Sequence, residues 1–221
     1  MTDPPDPIRH LVVLGHPAPR SFNRTVAETY CETVCACGHQ AELRDLYAIG
    51  FDPLLKADER RATPSFEPAP DVAAELELLR ASEVVALVYP IWFGMPPAII
   101  KGYVDRVLGA GFAARNVRHG ASHPILQGKH LMILSSSAST RAWLEEQGQW
   151  VSLRQAFDTY LTMIFALESH HHLHFDSIVE DCQPHYLEEC LESVRGDVRS
   201  FCARLFDERR RARRTGTEAV R

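Results

Sequence analysis

Two segments of the sequence gather residue types that can hold a ligand. The first, Gly15-His16-Pro17-Ala18-Pro19-Arg20-Ser21-Phe22-Asn23, runs into a helical pattern through a hydroxyl and an amide. At a helix N-terminus such groups join the free backbone N–H groups and favour a phosphate anion, and His16 and Arg20 add positive charge. Ser21 and Asn23 also have a simpler use there, as helix caps. The second, Pro90-Ile91-Trp92-Phe93-Gly94, sets two aromatics directly after an apolar run, where they cannot pack into a central core. A planar ring explains them: an isoalloxazine can lie against the side chains, loop N–H groups can bond its heteroatoms, and Gly94 permits close approach or a positive φ. A hydrophobic lid or an oligomer contact would use the same residues. Taken together, an anion site and a ring platform favour a flavin.

Other chemistries find less support. There is no G-x-G-x-x-G fingerprint, Walker A loop, Gly-x-Ser-x-Gly elbow or His-Glu-x-x-His motif. In His170-His171-His172-Leu173-His174, alternate residues of a strand would put His170, His172 and His174 on one side, as facial metal ligands can be. Without an acidic partner motif, the run reads as a strand end beside a cleft rather than a zinc hydrolase centre, and no metal ligands are assigned. The six cysteines lack C-x-x-C spacing and read as free, mostly buried thiols of an intracellular protein.

These residues need a scaffold. A chain of 221 residues with 45% hydrophobic and 24% charged content suits one domain. A net charge of -5 offers no general attraction to nucleic acid or an anionic membrane. No apolar run reaches the roughly 20 residues of a membrane span, and Met1 to Pro7 is acidic and proline-rich, unlike a signal peptide. A cytoplasmic protein that neither binds nucleic acid nor inserts into a membrane is expected.

Leu11-Val12-Val13-Leu14, Val84 to Tyr89 and Leu131-Met132-Ile133-Leu134 are continuous apolar runs, as strands buried on both faces require. Ala41 to Leu46 alternates and reads as a strand nearer the edge, and His172 to Phe175 as a short fifth strand. Between them lie helical patterns: Val26, Tyr30 and Val34 closed by Gly38; Val72, Leu76 and Leu79 after a capping Asp71; Ile99 to Val107 opened by Pro96 and Pro97; and Leu153 to Phe165. Beyond Pro184, apolar residues from Leu187 to Leu205 recur in steps of four and three, which predicts one long amphipathic helix. Tyr47 to Pro70 and Gly109 to Gly128 read as long connections. Alternation of strand and helix predicts an α/β doubly wound parallel sheet with helices on both faces and right-handed crossovers. For the five-strand order 2-1-3-4-5, ligands bind where the order reverses, between the ends of strands 1 and 3, and both unusual loops fall there.

The residues also carry a family resemblance. Leu14-Gly15-His16-Pro17, Ser21-Phe22-Asn23, Asp45-Leu46-Tyr47, Phe51-Asp52-Pro53 and the stretch Pro90 to Val107, in this order and spacing, resemble the NAD(P)H quinone reductase family of flavodoxin-like enzymes. The resemblance is strong over about residues 10 to 112. A flavodoxin-like domain is expected over residues 10–208, and the residues at either end read as a flexible arm at 1–9 and a basic, disordered tail at 209–221. The resemblance implies a homodimer holding FAD, or alternatively FMN, with NAD(P)H as hydride donor to flavin N5 and a quinone-like acceptor. On that likeness His16, Ser21, Phe22 and Asn23 hold phosphates, and Pro90, Ile91, Trp92, Phe93 and Gly94 form the ring segment. Ser135, Ser136 and Ser137 stand where the family has a ring-side Thr-Thr-Gly-Gly.

Two departures follow. The serines lack the glycines that let backbone approach closely, though their hydroxyls can still donate. The tyrosine and histidine that steady charge on the reduced ring in the best-known members are replaced by Arg141-Ala142-Trp143 and Gln149-Trp150-Val151. No catalytic residue is therefore assigned; Arg141 or a nearby histidine is the expected substitute. A non-catalytic flavin-binding regulatory subunit or sensor is the alternative that the missing pair favours.

Overall fold

In the computed structural model, residues 6–56, 67–112 and 123–218 are described. Five parallel strands, β1 (Arg9–Leu14), β2 (Gln40–Asp45), β3 (Val84–Pro90), β4 (His130–Ser136) and β5 (Ser169–Phe175), form one sheet in the order β2-β1-β3-β4-β5. Every residue of β3 is buried, as its unbroken apolar run requires, whereas β2 alternates exposed and half-buried positions at the edge.

The two sheet faces carry separate cores. Helices α1 (Phe22–Ala36) and α7 (Pro184–Glu218) cover one, where Val26, Tyr30 and Val34 meet Val194, Val198 and Phe201. The other face is covered by α2 (Pro70–Ala81), by α3 (Ala98–Tyr103) with the wider π turn Val104–Leu108 that continues it, and by a run of short helices: α4 (Arg141–Glu146), α5 (Gln149–Leu153), the π turn Arg154–Thr159 and α6 (Tyr160–Ile164). The fold class is the expected flavodoxin-like one.

Several expectations need correction. Asp71 does not cap α2: Ala69 is the N-cap, Pro70 opens the first turn with its fixed φ, and Asp71 instead takes two hydrogen bonds from Arg106 at 2.7 and 3.0 Å. The helix expected from Leu153 begins at Gln149, because Gly148 at φ +69 breaks the chain between α4 and α5. The N-terminal arm is shorter than residues 1–9, since Ile8 is buried and Arg9 starts β1. Nor is 209–218 a disordered tail: α7 continues to Glu218, because arginine and alanine favour helix. Arg209 also donates to the Asp6 carbonyl at 2.6 Å, tying this helix to the N-terminal segment. The middles of both long connections lie outside the described residues. Among the described residues no helix is long and apolar enough to cross a membrane.

One glycine has no room for a side chain. A Cβ on Gly102 would lie 2.4 Å from the Pro53 carbonyl oxygen and 2.5 Å from its Cα, a clash with backbone rather than with a movable side chain. Gly102→Ala is expected to cost about 3 kcal/mol or more, read as a fall in the urea midpoint. An unchanged midpoint would mean that the loop at Pro53 is free to move away.

Candidate functional site

The ends of β1 and β3 meet at the point where strand order reverses. The Gly15 N–H donates to the Val88 carbonyl at 2.9 Å, and the His16 ring stands edge-on to Trp92 with centroids 6.1 Å apart. The two loops singled out from the sequence are thus in contact. Ser21 has extended φ and its Oγ accepts from the Arg24 N–H at 3.2 Å, so it caps α1. Asn23 is buried and its Oδ1 accepts from the Ser136 hydroxyl at 3.0 Å, which joins the start of α1 to the end of β4. Phe22 packs edge-on to Phe175. The His16 Nδ1 accepts from the Ala18 N–H at 3.1 Å, and burial lowers the pKa of this ring. Arg24 is taken by Glu28 and Asp45. What α1 presents to an anion is therefore its first-turn N–H groups beside His16 and the exposed Arg20.

After β3, the Ile91 N–H donates to the Ser136 carbonyl at 2.7 Å, and Trp92 and Met95 exchange two backbone hydrogen bonds at 3.0 and 3.1 Å. The residues between them, Phe93 and Gly94, have φ of +51 and +81, the two positive values of a type I′ turn. Phe93 holds this conformation against the usual preference of a side-chain-bearing residue, with its ring wholly exposed, and Trp92 and Met95 are exposed beside it. Such a turn supports a flat apolar ligand and lets the Gly94 backbone come close to it. An added Cβ on Gly94 would lie 3.6 Å from the Gln149 Oε1, so α5 forms the neighbouring wall.

Ser135 and Ser137 open onto a buried network that the sequence did not reveal. Ser135 Oγ lies 2.6 Å from His172 Nε2 and 2.8 Å from His174 Nδ1. His172 Nδ1 is 2.7 Å from Asp158 Oδ2, and His174 Nε2 is 3.1 Å from Ser137 Oγ, which donates to the Ser139 carbonyl at 2.8 Å. Trp150 packs 4.9 Å from both imidazoles, with the Arg141 guanidinium 3.8 Å from its ring. Arg141 also pairs with Glu145, so it stands one aromatic ring away from the histidines. Although Asp158, His172 and Ser135 are connected as in a hydrolytic triad, Ser135 is fully buried between two imidazoles and presents no oxygen to a substrate.

Two proton arrangements satisfy this chain, and they differ by one proton. In the first, neutral His172 donates to Asp158, Ser135 donates to His172, His174 donates to Ser135, and the Ser137 hydroxyl turns from the Ser139 carbonyl to donate to His174. In the second, His172 is cationic beside Asp158, Ser135 donates to His174, and His174 donates to Ser137. The hydrogen-bonded route from Ser137 through His174, Ser135 and His172 thus ends on the fully buried Asp158 carboxylate. Burial, with His172 and Arg141 nearby, lowers the His174 pKa to about 4, so His174 passes a proton rather than keeping it.

Of the three histidines considered as facial ligands, His172 and His174 enter this network, while His170 meets the Thr162 hydroxyl at 3.0 Å. They do not converge as metal ligands among the described residues. Asp158 and Trp150 were missed because they sit in a π turn and a short helix whose phase relative to β5 no local pattern encodes.

A five-stranded parallel sheet with ligand loops at its switch point defines a class, and comparison places the chain in it. Residues 8–189 match the model of the flavodoxin-like fold family, and the chain belongs to that family. It is 34% identical over 125 residues to an uncharacterized NAD(P)H oxidoreductase of Haemophilus influenzae, covering 56% of this chain and 61% of that protein. It is 31% identical over 149 residues to NAD(P)H dehydrogenase (quinone) 1 of Rattus norvegicus, covering 59% of this chain and 54% of that one. The aligned parts thus span a little over half the length of these relatives. Among solved structures, an NAD(P)H:quinone oxidoreductase from Methanothermobacter marburgensis shares the fold with a TM-score of 0.78 at 24% identity, over 88% of this chain and 99% of that one.

Proposed function

We propose that the chain is a flavin-dependent NAD(P)H oxidoreductase that reduces quinone-like acceptors by two electrons. The observation that carries this reading is the exposed Trp92-Phe93-Gly94-Met95 turn, in contact with the helix N-terminal loop through His16. That pairing fits an aromatic ring system joined to phosphate, and the names of the Haemophilus and rat relatives support the same activity. When bound, the flavin supplies hydride transfer through N5 from NAD(P)H to the acceptor. The protein supplies the rest. The α1 N-terminus with His16, Ser21, Phe22 and Asn23 holds phosphate, residues 90–94 and Ser135 to Ser137 border the ring, and the route from Ser137 to Asp158 takes up or returns a proton. FAD is the expected form and FMN the alternative; an FMN-dependent NADH-azoreductase from Bacillus anthracis, with FMN bound, shares the fold at a TM-score of 0.62 and 15% identity.

A homodimer is part of the proposal. Trp143, Val151, Tyr160 and Met163 are exposed apolar residues on α4 to α6, on the same side of the sheet as the aromatic turn, and a second copy would cover them. A cytoplasmic setting fits the six free cysteines and the need for NAD(P)H.

The decisive measurement is the visible spectrum of the purified protein, followed by anaerobic mixing with NADH and NADPH and then a quinone. Bound flavin that a nicotinamide bleaches and a quinone restores is the expected result. Flavin that neither nucleotide bleaches would make the chain a regulatory flavin-binding subunit instead. Gly94→Val should lower flavin occupancy about tenfold at limiting flavin, because a β-branched residue at φ +81 is strained by roughly 1–3 kcal/mol and presses on Gln149, so the turn must change shape. Undiminished occupancy would remove the turn from the site.

A further inference from the structure

We propose that His10, His39 and Cys202 form a zinc site, with Cys37 beside it, at the end of the sheet opposite the ligand loops. The ligand atoms of His10, His39 and Cys202 lie within 4.8 Å of one another. They come from three separate elements: His10 from the start of β1, His39 from the turn between α1 and β2, and Cys202 from α7. Cys37, next to the same turn, neighbours Cys202. Two imidazoles and a thiol supply three positions of a tetrahedral zinc centre, and the neighbouring Cys37 thiol can turn to fill the fourth.

The geometry is close to what zinc needs. His10 Nε2 and His39 Nδ1 are 3.1 Å apart, and two nitrogens at ~2.0–2.1 Å from one tetrahedral ion stand about 3.3 Å apart. His10 Nδ1 lies 2.7 Å from the hydroxyl of fully buried Tyr30. The Tyr30 hydroxyl can accept from Nδ1, and with the proton there the Nε2 lone pair faces His39 and is available to a metal. Burial holds His10 neutral, at a pKa of about 3, and raises the Cys202 thiol to about 12. Binding zinc therefore releases the Cys202 proton, and a second if the Cys37 thiolate joins, with no change of oxidation state. The site is reached from a cavity lined by Cys37, His39, Ile8, Phe206 and Arg209. Its consequence is mechanical: the ion clips α7 to β1 and to the α1–β2 turn, far from the residues that hold the flavin.

The test uses full-length, tag-free protein incubated with zinc, passed over a chelating resin and analysed for bound metal, in parallel with cobalt-loaded protein. About one zinc per chain is expected, with a thiolate-to-cobalt charge-transfer band and tetrahedral ligand-field bands in the cobalt form. Cys202→Ser and His39→Ala should each lower bound metal below roughly a tenth of an ion per chain and abolish the charge-transfer band, leaving flavin occupancy unchanged. His39 is only half-buried, so its variant remains informative if Cys202→Ser does not fold. Wild-type protein that retains no zinc, or variants that retain it in full, overturns the site whether or not the flavin reading holds.

Discussion

Asp158→Asn is expected to slow nicotinamide-dependent turnover by about 10²-fold while leaving flavin content and folding largely intact. Asparagine keeps the size of the carboxylate and can still accept from His172 Nδ1, so the packing around Trp150 is preserved. What it removes is the charge that makes a cationic His172 tolerable in a fully buried position. Without that charge the second proton arrangement is inaccessible, and a proton arriving at His174 has nowhere to go. The proper readouts are the rate of anaerobic bleaching by NAD(P)H and its pH profile. A purely structural Asp158 would alter the melting temperature without reshaping that profile, and an unaltered rate would sink the relay. Arg141→Ala should have a smaller effect, since its guanidinium meets Trp150 rather than the imidazoles.

Acid should destabilise the fold steeply between about pH 6.5 and pH 4. Burial lowers the pKa of both His123 and His174 to about 4, well below the 6.5 of an unfolded histidine. Each is therefore neutral in the native state and takes up a proton on unfolding throughout that window. The unfolded state binds more protons, so stability falls as pH falls, by ~1.4 kcal/mol per pH unit for each histidine, and levels off below the folded pKa. From pH 6.5 to pH 5 the two together amount to about 3 kcal/mol, a large part of the stability of many domains. His123 adds its own strain, because its Nε2 is buried without a hydrogen-bond partner while its Nδ1 accepts from the Ile125 and Leu126 N–H groups. Urea unfolding at pH 7.5, 6 and 5 measures the effect. A midpoint that stays level across these values would show that both rings are protonated in the native state.

Much of the architecture was legible because it rests on local pattern. Strands buried on both faces must be apolar throughout, so Leu11 to Leu14, Val84 to Tyr89 and Leu131 to Leu134 announced the sheet centre. The period of the last helix and the helix-terminating Gly38 are equally local. Boundaries were less legible. Asp71 looked like a cap, but a partner 35 residues away in Arg106 decided its place. The basic tail looked disordered, but α7 carries on as far as Glu218 and Arg209 finds a carbonyl at Asp6.

At the ligand site, residue type alone marked the aromatic turn and the phosphate loop, since two aromatics after a buried strand have no place in the core. Their contact through His16 and Trp92 follows once strand order is known. The buried network is different in kind. Ser135 pairs with His174 through the register of β4 and β5, and Asp158 reaches His172 because a π turn shifts its side chain inward. Sequence determined which strands and loops exist, because burial and backbone preference act over a few residues. Only the tertiary structure decided which serine, histidine and carboxylate share a proton, because a hydrogen bond depends on ångström-scale placement that strand register and helix phase set across the whole chain.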